Sequence, residues 1–369
     1  MRHKILLNII TAFILFVLLI NNSFSQDNHA SGIFSGLAEG LSINGYVDTY
    51  ISWDNDKQNT LRQFSSVSPY SSEFRLNIAQ ISAKYETDRV RGTATIHFGD
   101  IPSVNWPSNQ QYIQEANVGF RVVKSFWIDG GYFLTHIGGE DFLPIDNFFT
   151  SLALSTYYEP FYQSGVRLSY SFSDKCAAQI YIVNGFNVYA DNNRNKSAGI
   201  QFWVKPAKVF DITYNNLIGN EMPSGTEGKT RFYNNLVVKM FPAKKIDVIA
   251  SGDFCIQEKS KLGDPGASAN MISGFISVRY RALKNFSMAL RGDYINDESG
   301  ILTGIIPVLN EGASGLKANG VTFAVEYNPV ENSYVRLETK LTNTDKDQKI
   351  FYDGKNSKVE VNLSAGVGF

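Results

Sequence analysis

The sequence predicts an all-β fold, a transmembrane, antiparallel, up-and-down β-barrel of about sixteen strands, with about 14 to 18 as the range. Three observations predict it. Apolar and polar residues alternate along many short segments, the connections between these segments alternate between short and long, and the chain ends in an amphipathic segment with a terminal aromatic residue. Together they favour a sheet that closes on itself, with lipid outside and water inside.

The composition excludes several other classes of protein. Only 19% of the 369 residues are charged and 13% are aromatic, whereas roughly 25% are charged in an average soluble protein. A mean hydropathy of −0.16 is too polar for a bundle of membrane helices. The 34 basic and 35 acidic residues nearly cancel, so no nucleic-acid partner is expected. Cys176 and Cys255 are too few for a disulfide scaffold or a zinc cluster and are not expected to pair.

The first 25 residues predict a secretory signal peptide. Arg2 and Lys4 give a basic start, an apolar run follows at 5–20, and small residues surround a cleavage point near Ser25. A retained membrane anchor is the alternative, but about 16 apolar residues are short for a span. The chain then divides into a signal peptide, a short periplasmic N-terminal segment and a single barrel domain: residues 1–25, 26–40 and 41–369.

Alternation with a period of two identifies the strands. In segment 90–98 the even positions are Val, Gly, Ala, Ile and Phe, and the odd ones are Arg, Thr, Thr and His, so one face is apolar and the other polar. A change of phase within 73–85 predicts a bulge near Ala79. The predicted strands are 41–53, 73–85, 90–98, 112–122, 126–137, 164–172, 176–186, 197–205, 209–218, 230–241, 245–257, 270–281, 286–295, 320–327, 333–342 and 358–369.

The connections between these strands alternate strictly in length. Seven are tight turns, and eight are longer and rich in Asn, Asp, Gly, Ser and Pro. This asymmetry is typical of bacterial outer-membrane barrels, whose periplasmic turns are short and whose extracellular loops are long. A soluble β-sandwich is the alternative for any alternating sequence, but Greek-key connections do not alternate so regularly. Both ends of the barrel sequence are therefore expected on the periplasmic side.

The C-terminal segment has apolar residues at every odd position from Val359 to Phe369. Such an ending resembles the signal by which outer-membrane barrels are presented to the barrel assembly machinery. That machinery and the lipid of the outer membrane are therefore expected partners.

Several short segments resemble a known family. They are Gly-Tyr-Val-Asp-Thr-Tyr at 45–50, Ile-Gln-Glu-Ala at 113–116, Ile-Asp-Gly-Gly-Tyr-Phe-Leu-Thr-His-Ile-Gly-Gly-Glu at 128–140, Glu-Pro-Phe-Tyr-Gln-Ser-Gly-Val-Arg at 159–167 and Val-Asn-Gly-Phe-Asn at 183–187. On these segments the chain resembles the OmpL-like β-barrel porin family of Gram-negative outer membranes. The resemblance implies an outer-membrane porin fold and passive passage of solutes, and it implies no particular solute.

Charged residues on the polar faces of the strands are expected to line a water-filled lumen. On the lipid side at mid-depth, Arg or Lys would cost about 2 to 4 kcal/mol, so the alternation assigns them to the inside. A mixture of both signs there would produce a transverse field across the lumen. The expected pore-lining residues are Asp48, Arg75, Arg91, Glu115, Arg121, Arg167, Arg231, Asp253, Arg279, Arg291, Arg336 and Glu338, with Asp293 and Lys340 on the same face.

The third long connection, from Gly138 to Gln163, is the candidate constriction, because many porins fold a segment into the lumen at this place in the chain. Its carboxylates are expected to face inward arginines such as Arg121 and Arg167. An outer loop packed on its neighbours is the alternative. The four carboxylates are those of Glu140, Asp141, Asp146 and Glu159.

These expectations predict an outer-membrane channel for passive diffusion of small hydrophilic solutes or ions, and not an enzyme. The alternatives are an anion- or phosphate-selective channel, suggested by the inward arginines, and a closed surface-binding or structural barrel. No catalytic residue, cofactor or metal site is expected, because no ligands have metal-site spacing and no glycine-rich loop joins a strand to a helix; bound calcium in the Asp-rich loops remains an open alternative. By analogy with other porins, a homotrimer is an expected assembly.

Overall fold

The structure is a computed structural model that describes residues 40–56, 61–191, 193–308 and 312–369. The predicted signal peptide and nearly all of segment 26–40 lie outside the described residues. Sixteen antiparallel strands form one closed barrel, which confirms the predicted fold. The barrel strands are β1 (Leu41–Asp54), β2 (Phe74–Glu86), β3 (Val90–Phe98), β4 (Ile113–Val123), β5 (Phe126–Leu134), β6 (Tyr162–Ser173), β7 (Cys176–Val183), β8 (Ser197–Ala207), β9 (Phe210–Asn220), β10 (Thr230–Ala243), β11 (Ile246–Gln257), β12 (Ala269–Leu283), β13 (Phe286–Asn296), β16 (Lys317–Tyr327), β17 (Ser333–Thr344) and β18 (Ser357–Gly368).

The long connections carry a few small elements that the sequence pattern did not predict. A two-stranded hairpin, β14 (Ile306–Val308) and β15 (Gly312–Ser314), lies between β13 and β16. Two short helices, α1 (Asp100–Asn105) and α2 (Leu154–Tyr158), lie in the connections that follow β3 and β5. Among the described residues, no helix has the length and apolar character needed to cross a membrane.

Consecutive barrel strands pair with one another, and β1 pairs with β18 to close the sheet. In this seam Tyr46 lies opposite Gly368 and Asp54 lies opposite Glu360. The Gly45 N–H donates to the Phe369 carbonyl at 2.7 Å, and the Phe369 N–H donates to the Gly45 carbonyl at 3.0 Å. The predicted C-terminal strand therefore completes the barrel.

The two ends of the barrel differ as predicted. Seven short turns of two to five residues join strands at one end, here called the short-turn end, and eight longer connections lie at the other. The bulge predicted near Ala79 lies at Asn77, because Asp48 faces Ile78 while Thr49 faces Leu76. The extra residue turns inward, where the Asn77 amide donates to Asp48 at 2.8 Å and accepts from the Ser68 N–H at 2.9 Å.

The two faces of the sheet carry opposite chemistry. Many large apolar side chains on the outer face are exposed, several of them by more than half, which is far more apolar surface than a water-soluble protein carries. The inner face holds charged residues such as Asp48, Arg291 and Arg336. Cys176 lies on the outer face and Cys255 on the inner face, and both are free thiols. Examples of the exposed outer residues are Phe74, Ile96, Phe120, Ile276 and Leu290.

Candidate functional site

The connection between β5 and β6, residues 135–161, crosses the inside of the barrel. It starts on one side of the sheet and contacts β13 and β17, which lie on the opposite side in the strand order. The Arg291 guanidinium donates to Glu140 Oε1 at 2.6 Å and to the Ser151 carbonyl at 2.8 Å. The Lys340 ammonium donates to the Leu152 carbonyl at 2.9 Å. The connection is thus held against the far inner wall by charged side chains.

Arg291 is the centre of the first attachment. Its side chain is fully buried, with Asp293 Oδ2 at 3.5 Å from Nε, Thr322 Oγ1 at 3.1 Å from Nη2 and the Phe149 ring centroid at 4.7 Å from Cζ. A buried guanidinium is costly unless ion pairs and hydrogen bonds replace its hydration. Because Glu140 and Ser151 belong to the connection, the wall needs this segment in place to satisfy Arg291.

Arg336 and Glu338 on β17 form the second attachment. Arg336 Nε donates to Glu326 at 2.7 Å, and its Nη atoms donate to the carbonyls of Pro144 at 3.1 Å and Asn147 at 2.9 Å. Glu338 accepts the Thr150 N–H at 2.7 Å. Backbone groups in an irregular buried segment need such partners, so these wall residues make the inward course of residues 144–151 energetically acceptable.

The four carboxylates of the connection have two different environments. Asp141 and Asp146 are exposed within the barrel. Glu140 and Glu159 are buried, and desolvation together with the nearby Asp253 and Glu140 raises the pKa of Glu159 well above its ordinary value. Only the first pair can therefore meet solvent or solute.

The expected pairing of these carboxylates with Arg121 and Arg167 is wrong. Glu140 pairs with Arg291, while Arg167 pairs with Asp129 at 3.2 Å and Arg121 stacks on the Trp127 ring at 4.7 Å. The reason is the path of the chain. The connection crosses to β13 and β17, away from β4 and β6, which carry the two expected arginines.

A cavity of about 300 Å³ remains between the connection and the wall formed by β8, β10 and β11, which the connection meets in part, since Gln201 donates to the His136 carbonyl at 3.0 Å. Asp141 and Asp146 line it on one side, and Gln201, Lys239 and Ile249 of β8, β10 and β11 line it on the other. The charge of Lys239 acts attractively on both carboxylates. Charges of opposite sign thus face each other across the free space.

The twelve expected pore-lining residues all occupy inward positions, but they have different environments. Five are buried in hydrogen-bond networks or in the attachments of the connection: Asp48, Asp253, Arg291, Arg336 and Glu338. Seven stay half-buried: Arg75, Arg91, Glu115, Arg121, Arg167, Arg231 and Arg279. Alternation predicts the face of a strand, and it carries no information about which inward residues are engaged by the loops.

Three inner-wall residues lie outside the set predicted from the sequence. An aromatic residue near a strand end suits the membrane interface, but Trp127 is 8% exposed on the inner wall, with the Arg91 and Arg121 guanidinium carbons 4.4 and 4.7 Å from its ring centroid. Asp129 and Lys239 were not singled out, although Asp129 has the same parity as Trp127 and Lys239 the same parity as Arg231 in the alternating pattern. Parity within the strand was the signal that could have found all three.

A closed sixteen-stranded sheet with an apolar outer face, a charged inner face and an inward-folded connection defines an outer-membrane porin-type barrel. The chain belongs to the family described as "Putative beta-barrel porin-2, OmpL-like", whose model matches residues 40–369. The family and the fold indicate a channel of the outer membrane rather than an enzyme.

Solved porin structures are similar to the chain at low sequence identity. The outer-membrane channel DcaP of Acinetobacter baumannii is 12% identical with a TM-score of 0.61, covering 89% of this chain and 97% of its own. OmpT of Vibrio cholerae is 12% identical with a TM-score of 0.59, covering 90% and 99%. An anion-selective porin from Comamonas acidovorans is 8% identical with a TM-score of 0.59, covering 89% and 99%. No curated protein sequence matches the chain. At such identities the likeness shows the fold alone.

Proposed function

We propose that the protein is a passive diffusion channel for small hydrophilic solutes or ions, and that the β5–β6 connection narrows its lumen. The observation that carries this proposal is the attachment of the connection to β13 and β17 through Arg291, Arg336 and Lys340. A segment attached at these points stays in place and occupies a fixed part of the lumen's cross-section. It leaves the space beside Asp141, Asp146 and Lys239 as the path for solutes.

The charges at this path give it a transverse field. The two aspartates of the connection lie on one side and Lys239 lies on the other, so a dipolar solute is oriented as it passes and small ions of both signs are admitted. Water in the path screens the field beyond roughly 10 Å at 0.1 M salt. The filter is therefore weak and acts mainly at the narrowest level.

Anion preference is the second candidate. Six of the seven half-buried residues predicted to line the pore are arginines, and Glu115 is the single carboxylate among those seven. One structurally similar porin is named as anion-selective. An excess of positive charge along the lumen would concentrate anions there.

The experiment is conductance of the purified protein in a planar bilayer. Stepwise conductance is expected, and reversal potentials in a salt gradient measure the ion preference. A correctly folded barrel that conducts nothing would favour the closed, surface-binding or structural alternative. Deleting residues 141–158 should raise the single-channel conductance, and an unchanged value would contradict the constriction. Because that deletion also removes partners of Arg291 and Arg336, the combined substitutions Asp141→Asn and Asp146→Asn serve as a milder test.

The assembly and targeting belong to the same proposal. The chain forms a homotrimer, in keeping with the trimeric form of the similar V. cholerae structure, and chemical cross-linking of outer membranes tests this.

Cleavage near Ser25 frees the mature chain, and mass spectrometry of the purified protein tests it. The amphipathic C-terminal segment that ends in Phe369 supports recognition by the barrel assembly machinery, and deletion of Phe369 should reduce insertion.

A further inference from the structure

Four neighbouring strands bring three arginines together on the inner wall near the short-turn end. Arg91 on β3 lies opposite Gly119 on β4, Gly119 lies opposite Asp129 on β5, and Asp129 lies opposite Arg167 on β6. These four residues form one row around the wall. The third arginine, Arg121, lies two residues along β4 from Gly119, on the same inward face.

Gly119 makes room for this row. A Cβ at this position would stand 2.1 Å from Asp129 Oδ1 and 3.1 Å from Arg91 Cγ. Because Gly119 has no Cβ, the Asp129 carboxylate reaches across β4. It accepts two hydrogen bonds from Arg91, one of them from Nε at 2.6 Å, and a third from Arg167 Nε at 3.2 Å. The carboxylate is fully buried beneath the two guanidinium groups, whose side chains stay 26% and 22% exposed.

Arg121 brings a further positive charge without a carboxylate of its own. In the part of the chain that the structure describes, no ion pair involves Arg121, and its buried Nε has no hydrogen-bond partner. Its guanidinium and that of Arg91 both lie within 5 Å of the Trp127 ring centroid, which places them no more than about 9 Å apart. The aromatic ring thus holds two like charges close together.

The charge of this group is not balanced by its own residues. Asp129 is shared by Arg91 and Arg167, and the next inward carboxylate on β4, Glu115, attracts Arg167. Three guanidinium groups therefore exceed two carboxylates, and the arginines are accessible from the lumen. Guanidinium groups bind the oxygens of phosphate and carboxylate groups with directed, charge-assisted hydrogen bonds.

We propose that Arg91, Arg121 and Arg167, held by Asp129 and Trp127, form a binding site for an oxyanion such as phosphate inside the lumen. The site lies toward the short-turn end, since Trp127 is two residues from the turn at 124–125. A solute with a phosphate or carboxylate group pauses here during passage. This inference rests on the proposed channel function for its role in transport, while the binding itself does not depend on conduction.

The test compares Arg121→Gln with Arg281→Gln. Arg281 is an inward arginine near the same end, on β12, where it pairs with Asp247, so its replacement removes the same charge far from the proposed site. Inorganic phosphate is added to wild-type channels conducting chloride in a planar bilayer, and it is expected to reduce the current at millimolar concentration. Arg121→Gln should raise the half-blocking concentration about tenfold, whereas Arg281→Gln should change it less than about twofold. Acetate in place of phosphate distinguishes a general oxyanion site from a phosphate site.

Calorimetry of phosphate binding to the folded barrel in detergent separates the site from the channel. Binding that Arg121→Gln weakens and Arg281→Gln leaves intact supports the site even for a barrel that does not conduct, in which case the channel function fails alone. A conducting channel that neither binds phosphate nor is blocked by it overturns the site and leaves the channel function standing. Equal weakening by both variants also overturns the site, because only a diffuse positive field would then act.

Discussion

Arg291 on β13 and Glu140 in the β5–β6 connection form a buried ion pair, with Nη1 2.6 Å from Oε1 and the two residues 151 positions apart in the chain. The pair joins two sides of the barrel that the sheet itself does not connect directly. Its partners are nearly inaccessible to water, so screening by salt is small. In the proposed channel, the width of the lumen therefore depends on this side-chain contact as well as on the strand number.

Glu140→Ala should loosen the connection. Among the described residues, the change leaves the buried Arg291 charge with Asp293 alone within ion-pair distance, and breaking such a pair costs about 3 kcal/mol. Single-channel current should become noisier, and the midpoint of denaturant unfolding should fall. Asp141→Asn is the matched control, because Asp141 is the exposed neighbour and its Oδ1 contact with the Leu143 N–H is kept. Equal effects of both substitutions would contradict the role assigned to the ion pair.

Opposite charges at the path should give opposite changes in selectivity. Asp141→Asn combined with Asp146→Asn removes negative charge, so the reversal potential should report a stronger preference for anions. Lys239→Gln removes positive charge, so the reversal potential should report a stronger preference for cations. Both shifts should shrink as the salt concentration rises, because exposed charges are screened. Shifts of the same sign in the two variants would show that these residues do not face one path.

Gly119→Ala should disturb the inner wall at the arginine row. The added methyl group would stand 2.1 Å from Asp129 Oδ1, so the Arg91–Asp129 pair must move, at a cost of about 1 to 3 kcal/mol. Gly130→Ala is the control on the adjacent strand, since a Cβ there meets nothing within 4 Å. Denaturant unfolding in detergent measures the difference, and equal stability of the two variants would exclude the crowding at Gly119.

Glu159 should make the barrel less stable as the pH rises. Its pKa is raised in the folded protein by burial and by neighbouring carboxylates, so the folded state holds a proton that the unfolded state releases above about pH 4.5, the ordinary value. Linkage then gives a loss of stability with increasing pH above that value. Glu159→Gln should flatten this dependence when unfolding is followed from pH 4.5 to 8.

The exposed carboxylate of Glu227, which pairs with Lys259, supplies the control for this measurement. Glu227→Gln should leave the decline in stability above pH 4.5 in place. A decline that persists unchanged in Glu159→Gln would assign it to other buried carboxylates.

Most of the barrel was predictable because each strand residue faces either the membrane lipid outside or the water and protein inside, and each environment requires a different kind of side chain. In β3, Arg91 and His97 face inward, and Ile96 and Phe98 face outward. Alternation with a period of two therefore predicts both ends of this strand correctly. The hairpin β14–β15 and the helices α1 and α2 were not predictable in this way, since they are short and are stabilised by contacts with distant parts of the chain.

The attachments inside the lumen needed the structure. Parity placed Arg291 and Arg167 on the same inner face, but it could not tell that the connection passes β6 and reaches β13. An aromatic residue near a strand end, such as Trp127, suits either the membrane interface or the inner wall. Its parity with Asp129 in the alternating pattern favours the wall.

The seam between β1 and β18 has a consequence for biosynthesis. Each strand between them gains its second neighbour from an adjacent stretch of chain, but β1 waits for a partner that the ribosome makes more than 300 residues later. A chain cut short anywhere before β18 keeps two unpaired edges, which favour aggregation or proteolysis. Only a chain that includes β18 can pair the free edge of β1 and close the barrel. Truncated chains therefore remain open to proteolysis, and complete chains are selected.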